Sequence, residues 1–414
     1  MNTIVMSVNI KNIKETQNIL LKNQNLDFKR FLYNKIDFSQ QLIGIIGPRG
    51  VGKTTLILQY LKENFYRKNA DNAVYFLADN VVFKKGDLFE LAQRLHIEEG
   101  VELICIDEIH KFPNWNQELK NIYDSFPSLK IIFSGSSSID LVKGRYDLSR
   151  RGVVYNLPGF SFREFLIFYK GLEFKKVKFE DVLKKHQTIL KKISVEDKIL
   201  RYFKEYLKTG YYPFFTKTKN SFLYNDQIGN TIDKIVYEDI ASVYKLKTAN
   251  LIIFKQILYF FATITPGEIN INKLASSLGR NHATIAEYLN ILQEAGLVRF
   301  LTNDKAGHVL VRHAEKIYLD NTNLLYAIST IVGKDIKIGM VREIFFLNQV
   351  QAIGKIPCYT KKGDFSIDKN IFEIGGKNKT DEQIKNIKNS FLVLDNILYG
   401  DSKRIPLYLF GFLY

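Results

Sequence analysis

The run Gly47-Pro48-Arg49-Gly50-Val51-Gly52-Lys53-Thr54-Thr55, directly behind the apolar stretch Leu42-Ile43-Gly44-Ile45-Ile46, constrains this chain more than any other feature. Five apolar residues, a glycine-rich turn and then a helical stretch from Leu56 to Tyr66 specify a buried strand, a sharp turn and a helix. The glycines at 47, 50 and 52 let successive amide N–H groups converge on one anion. The helix that begins near Lys53 points the positive end of its dipole at the same place. The spacing matches GxxxxGK[ST], so residues 47 to 55 are the candidate cofactor-binding set, with ATP and Mg2+ as the expected ligands. Lys53 is expected to neutralise the β and γ phosphates, Thr54 to coordinate the metal through its hydroxyl, and Thr55 to cap or pack.

A second element points to hydrolysis beyond mere binding. Val101 to Glu108 reads as an apolar strand that ends in two carboxylates. At the C-terminal edge of a parallel strand, on a strand adjacent to the phosphate loop, Asp107 is placed to serve the metal and Glu108 to activate water. His110 and Trp115 follow, and His110 is read as packing or hydrogen-bonding. The next strand, Leu129 to Phe133, runs into Ser134 and Ser136, candidates to sense the γ phosphate; a plain polar turn is the rival reading. Arg145, Arg150 and Arg151 come soon after. They are either arginine fingers, in cis or from a neighbouring copy, or solvated basic residues.

At 414 residues the chain is too long for one core, so several domains are expected. A net charge of +16 is compatible with contact to DNA or an acidic surface, and equally with a lysine-rich surface. Cys105 and Cys358, the only cysteines, have no disulfide or zinc spacing. A reducing cytoplasm and no membrane anchor are the expectations.

Alternating strands and helices predict a P-loop α/β core with an adaptor helix over residues 1–160. Aromatic-rich amphipathic segments predict a helical lid over 161–250, with a break between Tyr206 and Phe215 whose aromatics are expected in the core. Over 251–320, a short helix at Ile269 to Gly279, a second helix with Ile285, Leu289 and Leu292 inward, and strands at Leu297 to Phe300 and Gly307 to Arg312 predict a winged helix-turn-helix. Asn281, His282, Glu287 and Asn290 are expected on its outer surface. Lys305, Arg312, His313 and Lys316 are its candidate DNA-phosphate contacts, and protein docking is the alternative use. In the last domain, 321–414, Asp364 and Glu373 are candidates to share a divalent metal, with Lys377 near a scissile phosphate.

With these motifs, the Asp147-Leu148-Ser149-Arg150-Arg151 segment and Phe162-Arg163-Glu164-Phe165, the chain resembles uncharacterised prokaryotic AAA-type ATPases with a middle winged helix and a C-terminal nuclease-like domain of unknown function. The resemblance implies residues 47–54 as Walker A, Asp107 and Glu108 as Walker B, and Ser136 or its neighbour as a sensor. It implies a degenerate restriction-endonuclease-like α/β fold at the C-terminus, matched by Arg342-Glu343, Asp364-Phe365 and Glu373-Ile374. The lysine usual just after that acid is absent, Gly375 standing in its place, so nuclease activity is not expected. The functional expectation is Mg-dependent ATP hydrolysis coupled to rearrangement around a macromolecular partner. The alternatives are an ATP-gated DNA-binding or DNA-processing protein and a nucleotide-controlled protein-interaction switch; a protein partner and a homo-oligomer are among the candidate assemblies.

Overall fold

Five buried residues, Leu42–Ile46, form the strand that the apolar run predicts (β1). A helix at Ile10–Asn23 (α1) precedes it and Lys53–Asn64 (α2) follows. Next come Ala73–Leu77 (β2), Leu88–Gln93 (α3), Leu103–Asp107 (β3), Trp115–Ser125 (α4), Lys130–Gly135 (β4) and Val153–Asn156 (β5). All pairings are parallel, in the order β2-β3-β4-β1-β5. Every residue of β1 and β3 is buried, as a sheet covered on both faces requires. The order corrects one expectation: β4 lies between the acid-bearing β3 and β1, so the two are not neighbours.

This computed structural model describes residues 10–66, 70–79, 88–112, 114–135, 148, 150–193, 198–215, 220–244, 246–264, 270–303 and 314–414. The chain divides into two units, Met1–Pro158 and Gly159–Tyr414.

In the second unit Ser161 opens a helix at Phe162–Lys170 (α5) with a reciprocal capping box to Glu164. Helices follow at Phe179–Ile193 (α6), Ile199–Thr209 (α7), Ser221–Lys234 (α8) and Thr248–Thr263 (α9). Tyr206, Tyr211 and Tyr212 are buried around the end of α7, which makes this aromatic cluster core. Ile271–Ser277 (α10), His282–Glu294 (α11) and an antiparallel pair, Val298–Thr302 (β6) with Ala314–Leu319 (β7), come next. Ile285, Leu289 and Leu292 face inward, while His282 and Glu287 are exposed. Asn281 is the N-cap, its side chain accepting from the Thr284 amide at 2.8 Å. β6 pairs with 314–319, where Ile317, Tyr318 and Leu319 are buried; the expected strand Gly307 to Arg312 lies outside the described residues.

The chain then forms Thr322–Ile331 (α12), Ile338–Gln351 (α13), Phe365–Ile367 (β8), Asn370–Gly376 (β9), Ser390–Asp395 (β10) and Arg404–Pro406 (β11). Their sheet runs β11-β10-β9-β8, with only β8 antiparallel to its neighbour. Among the described residues no helix is long and apolar enough to cross a membrane.

Candidate active site

The turn between β1 and α2 has the backbone that an anion cradle needs. Gly50 and Gly52 have φ of 81° and 98°, in the left-handed region, and Gly52 leads into α2. Gly47 is fixed by close approach: a Cβ there would lie 2.1 Å from the Leu157 carbonyl oxygen. Arg30, buried, holds the same turn by donating to the carbonyls of Val51 and Pro158, the latter at 2.7 Å. Lys53 is also buried, and its Nζ donates to the carbonyls of Gly47 at 2.9 Å and Pro48 at 3.1 Å, folding the ammonium over the loop. Thr55 is exposed on the first turn of α2 and Gly52 is the N-cap, so the expected capping or packing by Thr55 is not what the structure has.

Asp107, at the end of β3, is buried and held by three hydroxyls. Thr54 Oγ1 donates to its Oδ2 at 2.6 Å, Tyr75 Oη from β2 donates to the same oxygen at 2.9 Å, and Ser134 Oγ from β4 donates to Oδ1. Thr54 brings the acid to the loop even though β4 separates their strands. Burial, and then the Asp107 charge beside it, push the Tyr75 phenol far above its ordinary value, so it stays a donor. Ser134 also accepts from the Glu108 amide at 3.1 Å. Its hydroxyl is therefore committed to the acid strand, a correction to its reading as a γ-phosphate contact. Glu108 has a left-handed backbone, φ 54° and ψ 45°, at the head of a 3-10 turn over Ile109–Lys111.

Mg2+ takes hard oxygen ligands and keeps several waters, so one or two protein donors suffice. The Thr54 hydroxyl and the Asp107 carboxylate, together beside the loop, fit that requirement.

Ser136 and Arg145 lie outside the described residues, as do Lys305, Arg312 and His313. Arg150 is exposed. Arg151 pairs with Asp124 at 2.8 Å. Because Ile43 is level with Val153 in the β1–β5 register, Arg151 sits at the start of the sheet. Arg151 is thus level with Gln41, six residues and roughly 20 Å along the strand from Gly47 at about 3.3 Å per residue. The geometry corrects delivery in cis from Arg150 and Arg151.

Lys316, expected to contact DNA phosphates, is instead turned to carboxylates of its own chain. Its Nζ lies 3.6 Å from Glu343 and 3.7 Å from Asp364. Asp364 and Glu373, expected to share a metal, do come together with Glu343, but cations of the chain already hold them. Lys379 Nζ is 2.6 Å from Glu373 Oε1, and Asp364 Oδ2 accepts from the Ile374 amide at 2.8 Å. Lys377 is exposed. Gly375 explains the arrangement, since a Cβ there would lie 2.4 Å from Lys379 Cβ: the missing side chain makes room for the stem of Lys379. Among the described residues no group of three or more His, Cys, Asp or Glu is arranged for a metal ion.

Sequence reasoning missed Tyr75, Lys379, and the pairing of Lys316 with Glu343. Tyr75 lies in β2, and only the sheet order shows that it faces Asp107.

Residues 39–166 match the family model described as AAA domain, and residues 200–335 match a domain of unknown function, DUF8612. An uncharacterised protein of Methanocaldococcus jannaschii is 24% identical over 94% of this chain and 88% of its own length. Among solved structures, a RuvB variant from Thermotoga maritima is 17% identical with a TM-score of 0.27, covering 80% of this chain and 96% of its own. DnaA from Aquifex aeolicus with AMPPCP bound is 16% identical with a TM-score of 0.25, covering 68% and 86%. TM-scores this low do not establish a common fold over those lengths. The AAA-domain match and the sheet establish an AAA-type P-loop core in the first unit, and its activity class is ATP hydrolase.

Proposed function

We propose that this chain is a magnesium-dependent ATP hydrolase whose turnover drives rearrangement around a macromolecular partner. The observation that carries the reading is the 2.6 Å hydrogen bond from Thr54 to Asp107, which joins the phosphate loop to the acid-bearing strand at one edge of the sheet. In this reading the loop amides and Lys53 hold the phosphates, Lys53 exchanging the Gly47 and Pro48 carbonyls for anionic oxygens. Thr54 and Asp107 would hold Mg2+, which when bound neutralises phosphate charge. Glu108 takes the proton of the attacking water as a general base. Arg150 stands clear of the loop of its own chain, so an arginine finger from this segment would reach the loop of a second copy.

For the second unit we propose a winged helix over 251–320 and a nuclease-like fold over 321–414 that no longer cleaves. DNA binding is the second reading. Exposed Arg280 and His282 at the start of α11 favour it, and Lys316 does not contribute.

The test is nucleotide binding and turnover of the full chain with and without DNA. Lys53→Ala is expected to lose both binding and turnover. Glu108→Gln is expected to hold ATP and hydrolyse it on the order of 10² to 10⁴ times more slowly, the usual range for a general base. Turnover like the parent's in both proteins would refute the assignment. A steep fall of DNA affinity with salt would support the second reading, and no retention of either duplex or single strands at low salt would remove it.

A further inference from the structure

The 3-10 turn after β3 folds the chain back so that His110, two residues beyond Glu108, faces the Glu108 carboxylate. The turn is held by the Lys111 amide donating to the Glu108 carbonyl at 2.9 Å, and its middle is pinned by fully buried Ile109. His110 Nε2 is 3.4 Å from Glu108 Oε2, and the His110 side chain is only 4% exposed. Oε2 is itself buried and, among the described residues, has no hydrogen-bond partner within bonding geometry. The Glu108 side chain keeps 23% exposure, which therefore belongs to atoms other than Oε2. A buried carboxylate oxygen without a donor is costly, so the His110 ring beside it has a defined task.

We infer that His110 is the positioning residue of the hydrolytic reaction: it anchors Oε2 in the protein and leaves Oε1 as the oxygen that receives the proton of water. This inference rests on the proposed function, in which Glu108 is the base. His110 touches neither substrate nor metal in this scheme and acts through Glu108 alone. The 3.4 Å separation is loose for a hydrogen bond. Catalytic contacts often tighten only when substrate is bound.

The experiment measures single-turnover hydrolysis and equilibrium ATP affinity, with Mg2+, for the full-length parent, His110→Ala, His110→Gln, Glu108→Gln and the double variant of His110→Ala with Glu108→Gln. His110→Ala is expected to slow hydrolysis by up to about 10²-fold, the loss that follows from misplacing a reacting group by about 1 Å. ATP affinity should stay within about twofold, since that contact set is untouched. His110→Gln, whose amide keeps a donor near the same place, should recover most of the rate. The double variant should be no slower than Glu108→Gln alone, because residues acting as a unit are not additive.

A slow Glu108→Gln beside a His110→Ala as fast as the parent would overturn the inference and leave the proposed function standing. A further loss from His110→Ala in the Glu108→Gln background, or a rate loss matched by lost ATP affinity in both His110 variants, would also overturn it, by showing a structural role. A Glu108→Gln protein as fast as the parent would overturn both.

Discussion

Each unit holds a group of carboxylates, and the two are built in opposite ways. In the first unit Asp107 is surrounded by hydroxyls from Thr54, Tyr75 and Ser134, neutral donors that fix a carboxylate without cancelling its charge. The buried ammonium of Lys53 is held by carbonyls of the loop. In the second unit Glu343, Asp364 and Glu373 are met directly by Lys316 and Lys379. A carboxylate held by hydroxyls keeps its charge for an incoming cation. One paired with an ammonium is already neutralised, and a metal would have to displace that partner. The same residue types thus give a reactive site in one place and an electrostatic clasp in the other.

The sharpest way to break this contrast is to neutralise one acid in each group. Asp107→Asn is expected to cut Mg-dependent hydrolysis by at least about 100-fold, on the scale of losing a group that orients transition-state charge. Glu373→Gln should leave hydrolysis within about twofold of the parent, because the residue serves no reacting group. Steady-state turnover at saturating ATP decides it. Comparable losses in both variants would mean that the two groups are not functionally distinct.

Next in size is the effect of thinning the hydroxyl cage. Tyr75→Phe removes the donor from β2 and keeps the ring, so the sheet should be unaffected. We expect the Mg2+ concentration for half-maximal nucleotide binding to rise about 10-fold, the lower end for the loss of an outer partner of a metal ligand. A metal dependence unchanged from the parent's would show that Thr54 and Ser134 suffice to orient Asp107.

How much of this the sequence discloses follows from how local each feature is. The phosphate loop is nine consecutive residues whose glycine spacing is read locally, although the Leu157 carbonyl against Gly47 and the Arg30 contacts that hold the turn come from distant positions. The strand ending in Asp107 and Glu108 is legible for the same reason. The hydroxyl cage is assembled from β2, α2 and β4 around β3, so it depends on strand order, and the expected adjacency of β1 and β3 was wrong because β4 intervenes. Sequence spacing points to position 375 or Lys377 for the C-terminal lysine, yet the ammonium comes from Lys379, whose stem lies where the Gly375 side chain would be. Spacing in sequence cannot show a side chain that reaches backward in space.

The clasp itself predicts a stability effect with no catalytic counterpart. Lys379→Met retains the stem over Gly375 but leaves buried Glu373 without its cation. With the Gln383 amide still donating to Glu373, it should destabilise the protein by about 1.5–3 kcal/mol, the range for a lost hydrogen bond to a charged group, while ATP turnover stays at the parent's rate. Urea denaturation midpoints measure it, and an unshifted midpoint would mean that Glu373 finds another donor.

The smallest expected effect is a dependence on pH. Burial first, and the neighbouring Asp364 charge second, push Glu343 up to about 7, against the pull of Lys316 and the Tyr318 hydroxyl. The folded value thus lies above that of the unfolded chain, so the folded state binds this proton more tightly. The stability it contributes is complete below the unfolded value of about 4.3 and is lost as pH rises through about 7. Glu343→Gln has no proton to lose and can still accept from Tyr318, whose hydroxyl lies 2.6 Å from Glu343. Relative to the parent, its denaturation midpoint should therefore rise between about pH 5 and pH 8 and show little further change above that. Parallel midpoint curves across this window would place the Glu343 proton outside it, and would mean that Lys316 neutralises Glu343 as completely as Lys379 neutralises Glu373.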